Sequence, residues 1–248
     1  MRGLKDKVAV VTGGLGDLGY ATAQRLREEG CRVAILDLRA DDERRSKASG
    51  AEYWRVDITD AEAVRSVFDQ ISRRLGPCSI LINSAALFLF KGIDATLEEF
   101  QDICSVNIAG TSIVTHAAVE HMKSRSSGSI INFSSISGFV AQPQFATYTA
   151  TKFAIRGLTK GWAVDLAPFG IRVNSLCPGS IYTAAFVKRC KDLGHDVHTE
   201  DAKESKAILL KRQGRPEEVA SVAAFLASEE ASYITGADIL VDGGYTAV

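Results

Sequence analysis

Val8-Ala9-Val10-Val11-Thr12-Gly13-Gly14-Leu15-Gly16-Asp17-Leu18-Gly19 is the stretch that decides the fold. Its four leading apolar residues read as a strand buried on both faces, and Leu18 to Glu29 carries a helical pattern. Between them Gly14, Gly16 and Gly19 stand at G-x-G-x-x-G spacing. Glycines there permit a tight turn and close backbone approach, and the following helix offers unpaired N–H groups to a pyrophosphate. A glycine-rich turn alone can simply join two elements. The strand before it and the helix after it make the pattern specific.

Outward from that turn, short apolar runs alternate with amphipathic stretches. Arg32–Asp37, Tyr53–Asp57, Ser79–Asn83, Ser129–Ser134, Ile171–Ser175 and Ile239–Val241 read as strands. Ala61–Leu75, Thr96–Lys123 and Tyr148–Leu166 read as helices. Strands this apolar belong to parallel sheets, and their alternation with helices gives right-handed βαβ units. The expected class is α/β: a single-domain, Rossmann-type doubly wound parallel sheet over residues 1–248, with helices on both faces.

The 248 residues are 46% hydrophobic and 24% charged, as in a globular protein with a full core. A net charge of −1 favours neither nucleic acid nor an anionic membrane. The longest apolar run, Ala85–Phe90, is too short to span a bilayer, and Met1–Lys7 lacks the apolar core of a signal peptide. Cys31, Cys78, Cys104, Cys177 and Cys190 are scattered without a C-x-x-C pair. A disulfide framework and a metal site are therefore not expected, and a reducing, cytoplasmic setting is.

Asp37 ends the second strand, where this architecture places an acid on the adenosine ribose. A 2′-phosphate beside it is repelled by ~1 kcal/mol in water and ~4 kcal/mol at an effective dielectric near 20, for unit charges about 4 Å apart. NAD is the expected cofactor. Arg39 is read as a solvated neighbour. On the helix after the fifth strand, Tyr148 and Lys152 share a face at i, i+4 spacing. A free phenol, with a pKa of ~10, is a poor base at neutral pH, and a nearby ammonium together with an oxidised nicotinamide would lower it. Ser135, thirteen residues before the tyrosine, is read as the hydroxyl that holds the substrate oxygen, with Ser134 and Ser137 as competitors.

In this order the motifs resemble the short-chain dehydrogenase/reductase family over essentially the whole chain. Asn107 in Val-Asn-Ile-Ala-Gly is similar to the helix-embedded Asn of its catalytic tetrad, beside Ser135, Tyr148 and Lys152. The resemblance implies Tyr148 as acid/base, Lys152 as its pKa partner and ribose ligand, and Asn107 as holder of a proton-relay water. It implies cofactor contacts at Gly13, Gly16, Asp17, Leu18 and Gly19, and at Asp57 and Ile58 near adenine. Further contacts are implied at Asn83 and Ala85, and at Pro178, Gly179, Ile181 and Thr183 around the nicotinamide. Asn83 would chiefly steady the sheet. The family's middle glycine falls on Asp17, whose carboxylate is expected to turn away and cap the helix.

Residues 183–211 read as a helical lid with one apolar face. Phe88, Phe139, Phe145 and Tyr182 are its expected opposite walls, and Lys91, Lys188 and Arg189 the cations that could seat an anion instead. His195 and His198 read as lid-surface residues. The substrate expected is a small neutral secondary alcohol or polyol, or its ketone. An NADPH-dependent 3-ketoacyl-type reductase and a non-catalytic cofactor sensor are the alternatives. The resemblance also implies a homotetramer, or failing that a dimer.

Overall fold

The computed structural model describes residues 1–39, 50–192 and 194–247. Seven parallel strands form one sheet: β1 (Val8–Thr12), β2 (Arg32–Asp37), β3 (Glu52–Arg55), β4 (Ile80–Asn83), β5 (Gly128–Phe133), β6 (Ile171–Pro178) and β7 (Asp238–Val241). Their spatial order is β3-β2-β1-β4-β5-β6-β7. The third strand stops at Arg55, short of the predicted Asp57, because its only partner β2 ends with Asp37 opposite Arg55.

Side chains alternate between two cores. On one face α1 (Asp17–Glu28) and α8 (Pro216–Ala227) lay Ala23, Leu26, Val219 and Ala223 against Ala9, Val11, Ile35 and Ile82. On the other, α2 (Ala61–Arg74), α4 (Thr111–Lys123) and α5 (Ala146–Leu166) lay Phe68, Val114, Met122 and Leu166 against Val8, Val10, Leu81 and Ile130. β1 and β4 are buried throughout, which explains why their sequences carry no polar alternation.

The stretch predicted as one long helix over Thr96–Lys123 is broken. α3 (Leu97–Cys104) opens with a reciprocal cap between Thr96 and Glu99. A π-helical turn, Ser105–Gly110, follows before α4 begins. Asn107 sits in that turn. The 183–211 stretch holds α6 (Ala184–Asp192) and α7 (Val197–Ala207), joined at Gly194, with residue 193 outside the described residues.

Strand order reverses between β1 and β4, so the carboxyl ends of those two strands flank a crevice. Thr12 Oγ1 closes its floor by accepting the backbone N–H groups of Ser84 and Ala85, both at 3.2 Å.

Candidate active site

Gly13, directly after β1, has φ +63°, and a Cβ there would meet Ala85 Cα at 2.7 Å. On Gly19 a Cβ would stand 2.4 Å from the Gly13 carbonyl oxygen. Both positions need glycine because the turn folds back against itself and against the residues after β4. Gly16 is the N-cap of α1 and has no side chain with which to cap it. Asp17, expected to cap the helix, is its first helical residue, in the turn where the helix dipole favours an acid. A helix start whose N-cap is glycine, cradled by further glycines at the sheet's crevice, fits a pyrophosphate. A cavity of about 570 Å³ opens between Asp17 and Thr183, Ala184, Val187, Lys188 and Lys191 of the segment expected to form a lid.

Asp37 is buried and heavily engaged. Its Oδ2 accepts the Leu15 backbone N–H at 3.0 Å and Arg39 Nη2 at 3.1 Å; its Oδ1 accepts Arg39 N and Nε, both at 3.1 Å. Arg39 is thus a bidentate partner of Asp37 rather than a solvated neighbour. Its side chain is 58% exposed, so the guanidinium can leave at little cost.

At the far side of the crevice stand Ser135, Tyr148 and Lys152. Ser135, just past β5, accepts the Ser137 backbone N–H at 3.1 Å and hydrogen-bonds the Tyr148 side chain. The two competitors are occupied elsewhere: Ser134 Oγ donates to the Lys152 carbonyl at 2.9 Å, and Ser137 Oγ bonds Gln142 at 3.1 Å. Lys152 Nζ donates to the Phe133 carbonyl at 2.8 Å and lies 5.3 Å from the Tyr148 ring centroid. Burial drives the ammonium down to about 8. Burial also pushes the Tyr148 phenol up, and the Ser135 hydrogen bond offsets only part of that. The expected lowering of the phenol is therefore not supplied by the protein's own groups.

Three rings surround Tyr148. Phe88 stacks on it at 5.6 Å and 26°, while Phe90 and Phe145 meet it edge-on at 5.4 Å and 6.4 Å. Tyr182 packs on Phe186 of α6 at 5.6 Å. Phe139, also expected as a wall, lies under the Arg156 guanidinium at 3.6 Å.

Residues 15–246 match the family model described as enoyl-(acyl carrier protein) reductase. The 2-(S)-hydroxypropyl-CoM dehydrogenase 3 of Xanthobacter autotrophicus is 34% identical, over 99% of this chain and 98% of the relative. The NADP-dependent (R)-specific alcohol dehydrogenase of Lentilactobacillus kefiri is 36% identical, over 98% of each. This chain belongs to the short-chain dehydrogenase/reductase family. Among solved structures, ligand-free aldohexose dehydrogenase of Thermoplasma acidophilum superposes with a TM-score of 0.91 at 32% identity, over 99% of this chain and 96% of the other. Membership makes this short-chain dehydrogenase/reductase an oxidoreductase of CH–OH groups that uses a nicotinamide cofactor.

Several of its predicted site residues have other occupations. Asn107 is buried, and its amide is spent on neighbours: Oδ1 accepts Leu87 N–H at 2.7 Å, while Nδ2 donates to the Leu87 carbonyl at 3.1 Å and Thr151 Oγ1 at 3.2 Å. Its side chain fastens the segment after β4 to α5. Asn83 Nδ2 donates to Asn132 at 2.9 Å and Thr115 at 3.0 Å, bonds that tie β4 to β5 and α4. Asp57 holds Thr59 through its N–H at 2.9 Å, and buried Ile58 packs towards Gly110 in the core. Gly179 donates to the Val241 carbonyl at 3.0 Å just after Pro178, the last residue of β6. Ile181 pairs with Gly214, and Thr183 Oγ1 accepts the Phe186 N–H at 3.1 Å, which starts the lid helix.

This short-chain dehydrogenase/reductase also carries a residue that sequence reasoning missed. Arg156 donates to the Gly138 carbonyl, in the turn that follows Ser135, and pairs with Asp238 of β7 at 3.1 Å. The signal was present, since Arg156 continues the i, i+4 row of Tyr148 and Lys152.

Proposed function

We propose that this chain is an NAD-preferring dehydrogenase of a neutral secondary alcohol, working with Tyr148 as general acid/base. The observation that carries the reading is the buried Tyr148 phenol, hydrogen-bonded to Ser135, flanked by Lys152 and otherwise walled by phenylalanines. Such a wall has no ionic partner for a buried carboxylate or phosphate, whose desolvation costs several kcal/mol. Two of the three cations expected to compete are themselves paired, Lys91 with Glu99 at 3.5 Å and Arg189 with Glu204 at 3.8 Å, while Lys188 lines the cavity on the Asp17 side.

When bound, an oxidised nicotinamide would supply an acceptor for the carbinol hydrogen and its electron pair, and a positive charge that favours the ionised phenol. Ser135 holds the carbinol oxygen against Tyr148. Ionised Tyr148 removes the hydroxyl proton as the carbonyl forms. Protonated Lys152 stabilises that phenolate, so the two side chains titrate as a pair. Gly13, Gly16 and Gly19 admit the pyrophosphate, Asp37 takes the adenosine ribose, and Thr183 carries the lid over the site. Residues 183–211 close on the substrate, and the chain works in the cytoplasm as a homotetramer.

NAD reduction followed at 340 nm across neutral secondary alcohols and polyols tests the reading. Turnover is expected to rise with pH as Tyr148 ionises, and Tyr148→Phe to lose nearly all of it while binding NADH about as well. A flat profile from pH 6 to 10, with chemistry rate-limiting, rules Tyr148 out as the base. A second reading is favoured by one observation, the Arg39 guanidinium on Asp37: an NADPH-dependent ketoreductase. Better kcat/KM with NADP, together with ketoacyl reduction, would select it.

A further inference from the structure

We propose that the substrate carries a flat aromatic ring on its carbinol carbon, stacked on the open face of Phe88. This deepens the alcohol-dehydrogenase reading and rests on it. Phe88 lies against the buried Tyr148 ring at 5.6 Å and 26°, yet it is 60% exposed. A phenylalanine with one face on the reactive phenol and the other uncovered leaves apolar area that a ligand can bury.

The neighbouring rings give that area a direction. Phe90 stacks on Phe145 at 4.3 Å, and the Arg189 guanidinium of the lid stands 5.9 Å from its centroid. Phe90 is thereby held in place, and both it and Phe145 pack at steep angles on Tyr148. Two rings therefore already pack on the phenol beside Phe88. A substituent on a carbinol held at Ser135 and Tyr148 finds its free apolar surface on Phe88. Phe90 touches Phe88 at 6.1 Å in a tilted contact of 49°, and the remaining exposed ring suits a flat group better than a puckered one. Offset stacking adds to area burial an amount corresponding to roughly a two- to tenfold preference.

The test compares kcat/KM for 1-phenylethanol and 1-cyclohexylethanol, which are similar in size but differ in planarity. The full-length enzyme is used with its preferred nicotinamide nucleotide, as wild type, Phe88→Leu and Phe88→Trp. Differences in intrinsic reactivity cancel when the ratio is compared across variants. The phenyl-to-cyclohexyl ratio is expected to fall about fivefold or more in Phe88→Leu and to be kept within about twofold in Phe88→Trp. A ratio unmoved in Phe88→Leu overturns the proposal and leaves the alcohol-dehydrogenase reading standing. If neither alcohol turns over, that reading falls, and binding decides the proposal. Dissociation constants for acetophenone by ligand-observed NMR should then weaken in Phe88→Leu and not in Phe88→Trp; equal values in all three proteins overturn it.

Discussion

Asp37 meets Arg39 with all four of its usual acceptor positions filled, so on the proposed reading a ribose would bind there by an exchange of partners. The displaced guanidinium would remain beside the carboxylate as a cation able to attract a 2′-phosphate and so to oppose the proposed preference for NAD. Arg39→Ala should therefore widen the ratio of kcat/KM for NAD over NADP, and Asp37→Ala should narrow it. The repulsion at stake, ~1 to ~4 kcal/mol, corresponds to roughly one to three decades. Shifts of the opposite sign in both variants would remove Asp37 from the cofactor site. Lys152 makes a separate prediction. Its folded value of about 8 lies below its ordinary 10.5, so the folded state sheds that proton first as pH rises. Between those values the unfolded chain binds more protons and stability climbs with pH, whereas below about 8 the buried charge is a constant cost. Relative to Lys152→Met, the wild type should gain up to about 3 kcal/mol between pH 8 and 10.5 in urea titrations. A pH-independent difference would mean the ammonium is not desolvated.

At the level of elements, most boundaries were legible because burial and helical periodicity write themselves into ten or so residues at a time. The β1–turn–α1 unit and α5, with Tyr148 and Lys152 on one face, needed only that local pattern. The π-helical Ser105–Gly110 was not legible, since one widened turn leaves no periodic mark in six residues. The occupation of Asn107 was equally hidden, because Leu87 and Thr151 reach it only through tertiary folding. The same holds for Phe139, whose ring meets the Arg156 guanidinium only in the folded chain. Asn107→Ala leaves the Leu87 N–H and carbonyl without their side-chain partner beside a buried hydroxyl. It should cost about 2–4 kcal/mol in denaturant unfolding. A loss below about 0.5 kcal/mol would show that solvent replaces those bonds freely.

For the whole molecule, both sheet faces are covered by helices, yet the outer surfaces keep large apolar side chains. On α3, Leu97 and Phe100 are exposed; on α5 the same is true of Phe153 and Val164, the latter at 76%. Gly157 and Gly161 between them leave open space where a Cβ would stand, so a second helix can approach that face closely. Pairing of α5 with its copy across a two-fold axis would bury this stripe, as the proposed assembly requires. Light scattering at micromolar concentration should give the mass of a tetramer or dimer, and Val164→Lys should reduce it. A monomeric wild type refutes the assembly.

The strand order also has a consequence for how the chain is made. Of the seven strands β1 is made before the other six, and it lies inside the sheet, with Val10 beside Ala34 on one side and Leu81 on the other. At ribosomal speeds of ~5–20 residues per second, β2 reaches it within seconds, but β4 follows on the order of ten seconds after β1. Throughout that interval an apolar strand edge with unpaired amides is presented to whatever else is nearby. Nascent chains arrested before Leu81 should accordingly be held by chaperones or aggregate, and those extended past Asn83 should be the first able to close the centre of the sheet.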